Sequence, residues 1–300
     1  MFYWQKNVPW PLHFWLCDMS TNAHDDAQFS HCIEALKQSD QYAQLLFLPA
    51  ELRGPAAAIL AFQQEIDRIP YLVSEPMPGE VRLQWWREVF LSKRDGEANA
   101  NPLASSLLAT VEKYDLPKEG FVRFLDAKVF DLYNDPMPDR ATLEAYLGES
   151  ESFILQMLAL MSGVEHDAIL ANACGHSGVA LGIANILLRT PFHMDKQQIY
   201  IPVDLIEACG IDAASWLSTE TPNHVSVYQG FVGLGQEHLK KAKFEITKLP
   251  KDKKGVFLSL SCAELVFKRA SKKTKNLRDP IVISPLSKQW ALMKTSVFGL

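Results

Sequence analysis

The chain has 300 residues, 48% of them hydrophobic, and a formal charge of −5 at pH 7. That is enough apolar material for one large core, and it excludes a disordered chain. Five scattered cysteines (Cys17, Cys32, Cys174, Cys209, Cys262) indicate neither a zinc site nor a disulfide framework, and no run of about 18 uninterrupted apolar residues marks a membrane span.

A reducing, cytoplasmic or matrix-like location is expected. Residues 1–18 carry Pro9 and Pro11 among several aromatic side chains and make a poor signal peptide. Residues 1–29 are expected to form a disordered extension, or translation to start at Met19. A single domain over 30–285 follows, then a tail over 286–300. Apolar residues recur at three- and four-residue spacing, without the alternation of strands, so the expectation is all-α. Helices are predicted from Ser30 onward, after Gly54 and Pro55, and over 80–90, 102–114, 121–132, 142–161, 167–188, 203–209, 225–249 and 255–270. The helix at 167–188 is rich in Ala and Gly, which suits close backbone packing at a bundle centre.

The late segment 240–294 holds 15 basic and 4 acidic residues, leaving 15 basic and 31 acidic elsewhere. It reads as a solvated helical face with a loop, or as a surface for an anionic partner. No motif for reading nucleic acid accompanies it, and no nucleic-acid partner is expected. Gly230, Gly233 and Gly235 follow no strand, and Ser177 lies within a predicted helix, so neither a dinucleotide loop nor a nucleophile elbow is expected. His166, His176 and His193 lack the spacing of a helical metal site.

Two segments resemble signatures of the squalene/phytoene synthase family. One runs from Phe47-Leu48-Pro49 to Ala61-Phe62-Gln63-Gln64-Glu65-Ile66-Asp67, the other from Gly178 through Ala180 to Asn185-Ile186-Leu187. Phe130-Asp131-Leu132, Thr142-Leu143, Tyr146 and Tyr200-Ile201-Pro202 add shorter matches, so the similarity covers about 39–205. The resemblance implies an all-α, single-domain helical bundle of the isoprenoid synthase type with a central cavity. It also implies head-to-head joining of two prenyl diphosphates. In that chemistry two D-x-x-x-D motifs on facing helices hold magnesium, because residues i and i+4 share a helical face.

Laid on this chain, the first motif falls on Asp67 and Tyr71, and the second on Arg189 and His193. Only Asp67 remains of four carboxylates, and Gln64 and Leu188 stand where the family carries arginines. Pro70 and Pro191 fall inside the two motif copies, where each removes a helical N–H, so both motif faces are expected to be kinked or ended.

The reading is therefore a non-catalytic binding or assembly factor, with no cofactor and no metal. Its cavity is lined by Gln64, Arg68, Tyr71, Asp131, Asn185, Arg189, His193 and Tyr200, beside the remnant Asp67. Arg68, Arg189 and His193 turn that cavity toward anions. The expected partners are an isoprenoid or anionic lipid, a protein, and peripheral contact with the inner membrane. The segment 79–87, with Trp85-Trp86, resembles a subgroup that includes a mitochondrial respiratory complex I assembly factor. One Trp is expected in the core and its neighbour at a groove, with Arg82 and Arg87 in a buried polar network with Glu80, Glu88 or Glu65. The rival reading is a magnesium-dependent farnesyl- or geranylgeranyl-diphosphate transferase, with Asp67, Glu65 and Asp131 supplying an altered metal site.

Overall fold

In the computed structural model, which describes residues 23–218 and 220–300, every regular element is helical. The first helices are α1 (Ala23–Leu36), α2 (Asp40–Leu45), α3 (Ala50–Leu72), α4 (Pro76–Phe90), α5 (Asp95–Ala100), α6 (Pro102–Lys113) and α7 (Lys118–Ala127). A 3-10 turn over Lys128–Leu132 leads to α8 (Arg140–Leu147), a π-helical turn over Gly148–Ser152 and α9 (Phe153–Met161). Then come α10 (Ala168–Asp195), α11 (Val203–Ala208), α12 (Ala213–Trp216), α13 (Pro222–Thr247), a 3-10 turn over Lys251–Phe257, α14 (Leu260–Ala270) and α15 (Pro285–Phe298). The extension expected to be disordered lies outside the described residues up to 22, and its last residues, from Ala23, already belong to α1. The stretch read as a tail is largely α15.

The core is one continuous apolar cluster. Phe62 of α3 is its aromatic centre, with ring centroids 4.9 Å from Trp86, 5.4 Å from Phe124 and 5.7 Å from Phe90. α10 lies at the middle of the bundle, against α13, α14 and α9. Its small residues do what their composition suggests. A methyl on Gly178 would fall 2.3 Å from the backbone nitrogen of Ser152, and one on Gly182 would fall 2.2 Å from Leu147. Among the described residues α10 is also the helix long and apolar enough to cross a membrane, but 61% of its apolar window is buried inside the bundle.

Several local expectations are corrected. The helix predicted after Gly54 and Pro55 starts earlier, at Ala50, and α3 holds Pro55 inside it. Pro70 stands two residues before the end of α3, whereas Pro191 does not end α10, which continues to Asp195. A proline removes one intrahelical bond, and burial of His193 and Met194 beyond it holds the last turn in place. The helix predicted over 121–132 tightens to a 3-10 turn after Ala127, and the one over 142–161 widens to a π turn midway.

Candidate functional site

Both irregular turns deliver charged side chains to the interior. In a 3-10 turn the side chains at i and i+3 eclipse. Lys128 and Asp131 therefore lie on one side, with the Lys128 ammonium 3.3 Å from Asp131 Oδ2. The same ammonium is 2.7 Å from Asp67 Oδ1 on α3 and donates to the Tyr146 hydroxyl at 3.3 Å. Burial alone would lower its pKa, but the carboxylates of Asp131 and Asp67, with smaller help from Tyr146 and Glu151, outweigh burial and hold Lys128 charged well above the ordinary lysine range. Asp131 Oδ1 also accepts from the hydroxyls of Tyr146 (2.7 Å) and Tyr200 (2.8 Å). Burial, and then the Asp131 charge, keep both phenols protonated.

The π turn aims Glu151 at the same place. Its carboxylate accepts from the Gln63 amide at 3.1 Å and from Asn185 at 3.3 Å. Burial and the neighbouring Asp67 raise its pKa, against the pull of Lys128 and of those two hydrogen bonds.

These groups line two connected hollows. A polar one of ≈ 70 Å³ holds Asp67, Lys128, Asp131, Tyr146, Glu151, His193 and Tyr200. A larger one of ≈ 350 Å³ shares Asp67, Tyr71, Glu151, Asn185 and Arg189 with it, then runs between Leu60, Leu155, Leu158, Leu181, Ala184 and Val266. At the far side Ile283 and Lys288 complete the lining, and Lys288 pairs with Asp40. Ligand pockets of about 300–1,000 Å³ that are apolar inside, with a few convergent polar groups, are the usual form of a small-molecule site.

Of the residues singled out in the sequence, Gln64, Arg68, Tyr71, Asn185 and Arg189 line the larger hollow, and Asp131, His193 and Tyr200 the smaller. Arg189 donates to the Tyr71 hydroxyl at 3.0 Å and lies 5.8 Å from its ring centre. Arg68 is exposed at the rim. His193 is not the cation expected: burial, and then the Arg189 charge, push its pKa down to about 4, leaving it neutral at pH 7. Glu65 faces away from Asp67, into a separate depression with Arg82, Trp85 and Trp86. Trp86 is buried, while Trp85 is half-buried and donates to Glu97 at 2.9 Å. Arg87 pairs with Asp126 at 2.5 Å rather than with a buried glutamate.

Sequence reasoning missed Lys128, Glu151 and Gln63. The i, i+3 pair Lys128 and Asp131 beside the resemblance at Phe130-Asp131-Leu132 was the available signal for the first of them.

The sequence profile described as squalene/phytoene synthase matches residues 36–286. The chain belongs to this family. It is 27% identical over 242 residues to complex I assembly factor 6 of Rattus norvegicus, covering 80% of this chain and 72% of that protein. It is 27% identical over 180 residues to the presqualene diphosphate synthase of Rhodopseudomonas palustris, covering 58% and 62%. A dehydrosqualene synthase crystallised with a ligand superposes with a TM-score of 0.74 at 15% identity, over 92% of this chain and 97% of that one. The isoprenoid synthase fold is thus shared across the bundle.

Proposed function

We propose that this family member is a non-catalytic binding or assembly factor, whose cavity takes an isoprenoid or anionic lipid without a divalent ion. The observation that carries the reading is the Lys128 ammonium between Asp67 and Asp131. Magnesium needs several oxygen ligands in near-octahedral array. Here a fixed monovalent cation is paired with two of the carboxylates and occupies the space between them, and Arg189 and His193 stand at the second motif. Among the described residues no three His, Cys, Asp or Glu side chains are grouped to hold a metal ion. The residues present do not fit a magnesium cluster.

What they can do is bind. Arg189 and Arg68 at the mouth offer guanidinium donors to a phosphate or headgroup, and the apolar wall beyond accepts a hydrocarbon chain. Similarity to an assembly factor of complex I supports a role in building a respiratory complex, together with a protein partner and a matrix-like or cytoplasmic location beside the membrane that carries it.

Two measurements on purified protein test this. Incubation with farnesyl or geranylgeranyl diphosphate and magnesium is expected to release no pyrophosphate, and robust turnover would overturn the reading in favour of a prenyltransferase. Binding of farnesyl diphosphate or an anionic phospholipid should persist in a chelator and be lost in Arg189→Ala. Absence of binding to either would end the proposal.

A further inference from the structure

α15 has two apolar faces. One holds Leu292, 1% exposed, against the bundle. The other carries Leu286, Trp290, Met293 and Val297, which are 77%, 64%, 47% and 70% exposed. Their spacing of four, three and four residues sets them in one line along the helix. Val282, 74% exposed, precedes the line, and Phe298, 81% exposed, closes it. Solitary exposed apolar residues are ordinary, but an ordered stripe of this kind marks a contact surface.

The charge around it selects the occupant. Lys294 stands one turn beyond Trp290 on the same helix. α14, on which α15 packs, ends in exposed Lys268 and Arg269, and the following turn exposes Lys272 and Lys275. Among the described residues none of these five cations has an ion-pair partner. The segment 240–294, with 15 basic and 4 acidic residues, would repel a second copy of itself. An anionic bilayer, by contrast, takes the apolar side chains at the level of its headgroups, suits a central Trp there, and attracts the flanking cations.

We infer that α15 docks this protein on an anionic lipid bilayer, with Leu286, Trp290, Met293 and Val297 inserted and the basic residues of α14 and its following turn against the headgroups. Ile283, just before α15, and Lys288 within it line the far side of the larger hollow, so docking sets that side of the cavity next to the lipid surface. The docking is independent of what the cavity holds, and its failure leaves the proposed function untouched.

The test is co-sedimentation of the full chain with phosphatidylcholine vesicles, with and without phosphatidylglycerol. Wild type is expected to bind the anionic vesicles, and less so as salt rises. Trp290→Ser with Val297→Ser should reduce that binding by at least about tenfold. Lys268→Glu with Lys272→Glu should reduce it at low salt and leave the residual binding to neutral vesicles unchanged. All four positions are exposed, so each variant should melt as wild type does, and circular dichroism checks this. Equal binding by wild type and the Trp290/Val297 variant overturns the inference, as does no binding to anionic vesicles. A wild-type dimer that the same variant dissolves would assign the stripe to a second copy instead, and a soluble protein partner displaced by that variant would assign it to protein.

Discussion

Lys128 shows how one side chain redefines a site. A charge this deeply buried is tolerated only with counter-charges in contact, and it has two. Lys128→Ala leaves Asp67 and Asp131 facing each other without it and should destabilise the fold by about 3–5 kcal/mol in urea unfolding. If the ammonium holds the place of a divalent ion, added magnesium should raise the melting temperature of that variant while leaving wild type unchanged. His193 gives a second handle. Its pKa is depressed from 6.5 to about 4 in the folded chain, so the unfolded chain binds the proton first as pH falls. The stability due to neutral burial is complete above pH 6.5 and is lost as pH drops toward 4. The shift corresponds to about 3 kcal/mol, and the depressed His176 and His238 add to the same slope. Glu151 opposes it, because its raised pKa favours the folded state at low pH. Thermal melts between pH 7 and 4 should therefore show a smaller acid loss in His193→Gln than in wild type.

Among the elements, α10 carries the architecture. Close approach of α10 to the π turn needs the absence of a side chain at Gly178, where a methyl would strike the Ser152 backbone, which cannot move aside as a side chain end can. Gly178→Ala is expected to cost about 1–3 kcal/mol or more through this overlap. Gly175→Ala, one turn earlier with open space around it, should gain up to about 1 kcal/mol from helix propensity. Opposite signs in paired denaturation curves check the argument. The same closeness explains why the wide turn sits where it does: Ser152 Oγ donates to the Gly175 carbonyl at 3.0 Å, and Glu151 beside it is turned to the cavity. Pro191 has less effect than its position in a motif copy suggests, because a single missing bond is small against the packing of the residues that follow it.

For the whole molecule, the acidic majority and the basic late segment become meaningful only once folded. The cavity is bounded by helices from both ends of the chain, with α2 and α15 meeting through Asp40 and Lys288 at its rim. That places the outward stripe of α15 beside a hollow built largely of α3, α9, α10 and α14. The sequence by itself determined the all-helical class, the family resemblance, the close-packed helix at the centre and the split roles of Trp85 and Trp86. The helical class and the close packing are matters of local backbone geometry, readable within a few turns. The nearness of Tyr71, Arg189 and Asn185 to Asp67 was instead implied by the resemblance, which sets the two motif copies on facing helices. Only the tertiary structure decided that Lys128 meets Asp67, that Glu151 enters the cavity, that Glu65 turns away and that His193 is too buried to be charged. It also decided which face of α15 stays uncovered. Burial and ion pairing depend on which distant segments pack together, and the spacing of residues along one helix carries no record of the neighbour that will cover it.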